Sequence, residues 1–135
     1  MKTISKLLLA ASVFVALLPG QFVPPGRKNF TKTITSGTPI QVSATPLTVD
    51  RYIIQMAIGG TGYGLICIVP VGTTPAASCA TAGQLSGQLA PASATAPGGS
   101  WSDAVANQGG SINLQTVWID GSVSGDKVTI SANVK

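Results

Sequence analysis

The sequence predicts an all-β protein: an antiparallel β-sandwich or jelly-roll-like barrel of about seven or eight short strands, preceded by an N-terminal apolar helical arm. Three observations carry that expectation. From Phe30 onward, apolar and β-branched residues recur with a period of two, as on a half-buried strand. Clusters of Gly, Pro, Asn, Asp and Ser punctuate the chain at short intervals. After Leu18 no segment has the apolar spacing of an amphipathic helix.

The arm comes first. Lys2 and Lys6 precede an apolar run from Leu7 to Leu18, and Pro19-Gly20 ends it. This is the order of a secretory signal, and the run is shorter than the roughly 20 residues of a membrane-spanning helix. No Ala-x-Ala cleavage motif follows it. Two readings therefore stand. In one, the segment is a cleaved signal peptide. In the other, it is a retained arm that must bury its apolar side in a partner subunit or a membrane. On that second reading Leu7, Leu8, Leu9, Phe14 and Phe22 are candidate interface residues, and residues 1–20 are a candidate membrane contact. Residues 19–29 (PGQFVPPGRKN) read as a stiff Pro/Gly linker, which divides an arm of residues 1–29 from a β domain of residues 30–135.

Within the domain, Phe30 to Thr35 alternates and Ser36-Gly37-Thr38-Pro39 turns the chain. Ile40 to Ala44 alternates again, and Leu47 to Ile58 reads as a longer strand. Gly59-Gly60-Thr61-Gly62 is a turn signal, so Tyr63 to Val69 is expected as the hairpin partner of that strand. The Tyr63–Val69 run is continuously apolar, as for a strand covered on both faces. Residues 70–100 are rich in small residues and nearly uncharged. They are expected to form a long loop that packs on a neighbouring subunit, with a short strand near Gly83 to Leu89. Trp101 to Val105 follows as a short strand. Ile112 to Asp120 alternates with Ile112, Leu114, Thr116, Trp118 and Asp120 on one face. Gly121 to Asp126 is expected as a hairpin loop before the closing strand Lys127 to Val134, whose Val128, Ile130 and Ala132 share a face.

Composition argues against chemistry. Charged residues make up 9% of the 135 residues, and there is no histidine and no glutamate. The side-chain carboxylates are Asp50, Asp103, Asp120 and Asp126. A Ser-His-Asp triad, a Cys-His pair and a His-ligated metal site are impossible. No catalytic residue, cofactor or metal is expected; Asp120 and Asp126 alone are too few oxygens for calcium. The net charge of +4 is concentrated before Asp50, in Lys2, Lys6, Arg27, Lys28 and Lys32. A nucleic-acid-binding domain carries a basic stripe with stacking aromatics on its folded face, so no specific nucleic acid is expected.

Cys67 and Cys79 match no zinc or CxxC spacing. Either they form a disulfide, which needs an oxidising compartment, or they are two buried thiols, as the place of Cys67 in an apolar strand suggests. Trp118 is expected in the core. Trp101, between Gly-Gly-Ser and Ser-Asp, is the candidate exposed interface anchor. A sugar- or peptide-binding site would draw on Trp101, Tyr52 and Tyr63.

The stretch Asn113-Leu-Gln-Thr-Val-Trp-Ile-Asp-Gly-Ser-Val-Ser-Gly-Asp-Lys-Val-Thr-Ile resembles the ending of small virion structural proteins of bacteriophages. Those proteins carry a (D/N)L-x-x-(I/V)-(Y/W)-(I/V)-D strand, a short G(D/E)-x-V loop and a terminal strand. The entry Thr35-Ser-Gly-Thr-Pro-Ile-Gln-Val is similar too, so the resemblance covers about residues 33–70 and 111–134. It implies a head-decorating, minor capsid or neck-fibre protein located in the virion. Its partners would be copies of itself, as a trimer or pentamer, and the major capsid or other virion proteins. The alternative is an exported bacterial surface or periplasmic β-sandwich protein with a cleaved signal.

Overall fold

The computed structural model describes residues 26–75, 79, 85–104 and 110–135. The expected helical arm, with Leu7, Leu8, Leu9, Phe14 and Phe22, lies outside the described residues. The described chain is all-β, with two antiparallel sheets packed face to face. Its strands are β1 (Gly26–Thr33), β2 (Ile40–Gln41), β3 (Thr48–Met56), β4 (Gly64–Ile68), β5 (Leu85–Leu89), β6 (Ser100–Ala104), β7 (Ile112–Asn113), β8 (Val117–Gly121) and β9 (Lys127–Val134). The first strand starts at Gly26, inside the segment that reads as linker.

One sheet has the order β1–β9–β3–β6, and β7 continues the β6 edge of β3. The other has the order β2–β8–β4–β5. Two expected hairpins are corrected by this order. β3 and β4 do not pair, and neither do β8 and β9; each couple crosses from one sheet to the other. The physical reason is the covering each strand needs. β3 and β9 are polar on one face and so take one sheet of cover, whereas β4 is buried on both faces through Leu65, Ile66 and Cys67.

The core lies between the sheets. β3 contributes Tyr52, Ile54 and Met56, and β9 contributes Val128, Ile130 and Ala132. Facing them are Ile66 of β4, Val117 and Ile119 of β8, and Leu89 of β5. Burial of each such aliphatic side chain contributes about 1.5–3 kcal/mol. A bulge opposite Val134 and Asn133 lets both Val49 and Tyr52 point inward, three residues apart on one strand.

The run Ile112–Asp120 is not one strand. A 3-10 turn at Leu114–Thr116 divides it, with Asn113 as N-cap. The Asn113 side-chain oxygen accepts from the Gln115 and Leu47 amides, and the Thr116 hydroxyl donates to the Asn113 carbonyl. The turn shifts the phase, so Ile112, Leu114, Val117 and Ile119 face the core and Trp118 turns to the outer face. Asn competes for backbone donors in this way wherever its side chain reaches the next residues.

Candidate interaction surfaces

The two ends of the sandwich are built differently. At the looped end, the connections 34–39, 57–63, 90–99 and 122–126 meet. They are tied to one another by backbone bonds: Ile34 N–H to the Asp126 carbonyl (2.7 Å), Gly59 N–H to Ser93 (2.8 Å), Ala92 N–H to Gly60 (2.9 Å) and Ser122 N–H to Tyr63 (3.1 Å). Two aspartates complete the network. Asp120, 1% exposed, accepts from the Gly121 and Gly37 amides through Oδ1 (2.7 and 3.0 Å). Asp126 Oδ2 accepts from the Gly62 amide (2.7 Å). Gly125 has φ +95°, which L side chains rarely adopt. Gly121, by contrast, needs no positive φ: a Cβ there would stand 2.9 Å from Ile34 Cδ1 and from the Tyr63 carbonyl oxygen, so close packing demands the glycine. Ile58, Tyr63 and Val123 are exposed around this end.

The opposite, grooved end holds a cavity of about 400 Å³ between the sheets. Tyr52, Ile68, Val69, Asp103, Asn113 and Val117 line it, among others. The Tyr52 hydroxyl and the Trp101 and Trp118 indole N–H groups are buried without a hydrogen-bond partner. Burial pushes the Tyr52 hydroxyl up to about 12 from its ordinary 10.0. The Trp101 N–H lies near enough to oppose the shift without reaching hydrogen-bond geometry, and the Asp103 carboxylate adds to it.

Cys67 and Cys79 are joined by a disulfide, with their Cα atoms 5.6 Å apart, rather than standing as two thiols. With Leu65 and Trp118 they make a second, smaller apolar cluster on the outer face of the β2–β8–β4–β5 sheet. The bridge thus pins the start of the long excursion after β4 over that face. Ile68, Val71 and Leu85 are exposed beside it.

Trp101 is not the exposed anchor that its flanking residues suggest. It is half-buried and packs against the main core. Its ring lies on the backbone of Gly87, where a Cβ would stand 2.2 Å from the indole. The pairing of β6 with β3 turns Trp101 toward β5, and a glycine there makes room. Tyr52 is in the core, so Tyr52, Trp101 and Tyr63 form no common platform. Among the described residues no three metal-ligating side chains gather.

The outer face of the β1–β9–β3–β6 sheet is polar. Strand register sets its residues in rows: Arg27–Asn133–Arg51, Asn29–Ser131–Ile53–Ser102 and Thr31–Thr129–Gln55–Ser100. Arg27 Nε donates to Ser131 Oγ (2.9 Å), and Ser131 Oγ donates to Asn29 Oδ1 (2.5 Å). At the β1 edge, Lys28 and Lys32 flank Phe30 on the opposite side of the strand, a charge placement that discourages further strand pairing. Arg27 reads in the sequence as part of a basic N-terminal segment. Its place beside Arg51 follows only from the pairing of both strands with β9.

No known protein family, curated protein or solved structure matches the chain.

Proposed function

We propose that the chain is a non-enzymatic virion structural protein, capsid-associated or decorating, that works by shape and burial. The observation that carries this reading is the strand order β1–β9–β3–β6 against β2–β8–β4–β5. It is the order of an eight-strand jelly roll, with β7 as an extension of the β6 edge. Jelly rolls recur in viral capsid domains, lectins and cupins. Function drawn from that order is an analogy of fold, and the residues narrow it. The chain has no histidine or glutamate for a metal-dependent or acid–base site. The aromatic side chains that would stack on a sugar are split between core and surface. Exposed apolar side chains at both ends, Ile58, Tyr63 and Val123 at one and Ile68, Val71 and Leu85 at the other, suit packing against neighbours without desolvating ions.

The domain would assemble as a trimer or pentamer on a capsid, with residues 1–29 tying it to a neighbour or to a membrane. Binding would come from apolar and backbone contacts, so it resists salt. Purified particles should carry the chain and retain it after washing in about 1 M NaCl, where ionic attraction is screened within about 3 Å. Particles that lack the chain, or shed it in that wash, overturn the proposal.

One observation favours a second reading. The Cys67–Cys79 disulfide suits an exported protein in an oxidising compartment. Intact mass separates the two: loss of the N-terminal apolar segment supports export with a cleaved signal, and its retention supports the arm.

A further inference from the structure

We infer that the outer face of the β1–β9–β3–β6 sheet binds an anionic polysaccharide, with a sulfate or carboxylate group of the sugar seated between Arg27 and Arg51. The two arginines sit in one cross-strand row, two strands apart, with Asn133 between them. Two strand spacings separate their backbones by about 10 Å. Arg27, Arg51, Ile53, Ser131 and Asn133 line a groove of about 160 Å³ there, large enough for one oxyanion group. Arg27 is oriented by its Nε bond to Ser131, which leaves its terminal amino groups without a protein partner among the described residues. The Arg51 side chain has no hydrogen bond or ion pair among the described residues. The neighbouring carboxylate, Asp50, is taken by Lys135 (3.1 Å). The groove therefore presents two uncompensated guanidinium forks, and such forks match planar or tetrahedral oxyanions through paired hydrogen bonds.

The rest of the face says what carries the anion. Rows of Asn, Ser, Thr and Gln run on from the arginines, over roughly 13 Å of strand. They offer donors and acceptors to sugar hydroxyls along a chain. A nucleic acid would need a longer basic stripe and aromatic rings for the bases, and this face has neither. A lipid surface would need apolar side chains to insert, and Ile53 alone stands among the polar rows. The inference goes beyond the coat reading and stands equally for an exported protein.

The test is a residue-resolved NMR titration of the full chain with four probes: a sulfated oligosaccharide, a neutral dextran oligosaccharide, inorganic sulfate and a single-stranded oligonucleotide of matched charge. Saturable shifts at Arg27, Arg51, Ile53, Ser131 and Asn133 are expected with the sulfated sugar, weaker ones with sulfate, and none with dextran. Arg51→Ala and Arg27→Ala should each weaken binding at least about tenfold, the loss of one charge-assisted contact. Arg51→Lys, which keeps the charge but loses the fork, should fall between. Lys28→Ala, on the other side of β1, should leave binding unchanged. An unchanged denaturation midpoint shows that each variant is folded. The inference is overturned by absent shifts at these five residues, by dextran binding as tightly, or by full affinity in the double arginine variant. Tighter binding of the oligonucleotide at the same residues replaces the sugar with a nucleic acid and overturns it as well.

Discussion

The looped end and the grooved end of the sandwich solve the same problem by different means. Both must hold together connections that cross between sheets. At the looped end, backbone groups and two aspartates satisfy one another, so the polar inventory is closed without help. Toward the grooved end, Tyr52, Trp101 and Trp118 keep buried polar atoms unpaired, and a covalent bridge fastens the β4–β5 connection, which stays within one sheet. The contrast teaches where the molecule is self-sufficient. An end with matched donors and acceptors needs nothing further, whereas unpaired polar atoms and a fixed loop leave room for a partner to contribute.

The largest effect should come from the looped end. Asp120→Ala removes the carboxylate to which the buried Gly121 amide and the exposed Gly37 amide donate, and hydrogen bonds to a charged group contribute about 1.5–3 kcal/mol each, the exposed one at the low end. Urea denaturation measures the loss, and a change within 1 kcal/mol or so would show that the network closes without Asp120. Next is the bridge. Cys67→Ser with Cys79→Ser reopens a loop of 12 residues and should lower stability by about 3 kcal/mol. Reduction of the native protein with a thiol should match the double variant. Gly87→Ala is third: the new methyl meets the Trp101 ring, and overpacking of this kind costs about 1–3 kcal/mol. Tryptophan fluorescence should shift along with it as the indole moves.

The smallest effect at neutral pH has the opposite sign. Tyr52→Phe removes a buried hydroxyl that has no partner, so stability should hold or rise by up to about 1 kcal/mol. The variant also sharpens the comparison at high pH. The folded protein keeps the Tyr52 proton up to about 12, whereas the unfolded chain releases it near 10.0. Above pH 10 the unfolded state binds fewer protons, so stability falls as pH rises, by roughly 2–3 kcal/mol at pH 12. Denaturation midpoints across that window should show the decline in the native chain and its loss in Tyr52→Phe. A decline of equal size in both would place the titration elsewhere.

Local pattern carried much of this architecture. Alternation located β9, a continuous apolar run located the doubly covered β4, and turn residues bounded the longer strand β3, because period and punctuation are properties of adjacent residues. What adjacency does not carry is pairing. Among sequential strands only β4 and β5 are neighbours in a sheet, so reading β3–β4 and β8–β9 as hairpins misplaces both. The same limit hid the surfaces. Trp101 looks exposed beside Gly98, Gly99 and Ser100, and is covered only because Gly87 lies opposite it. Arg27 and Arg51 become neighbours only through β9. The phase shift at Leu114–Thr116 did have a local signal, Asn113 two residues before Gln115, but the clean alternation of the run masked it.

The proposed function depends on the domain assembling with copies of itself, as a trimer or pentamer, rather than turning over a substrate. Analytical ultracentrifugation of the full chain tests it most directly, in dilute salt and again in about 1 M NaCl. A discrete oligomer of the same size in both conditions is the predicted result. A monomer at every concentration and in both salts would contradict it.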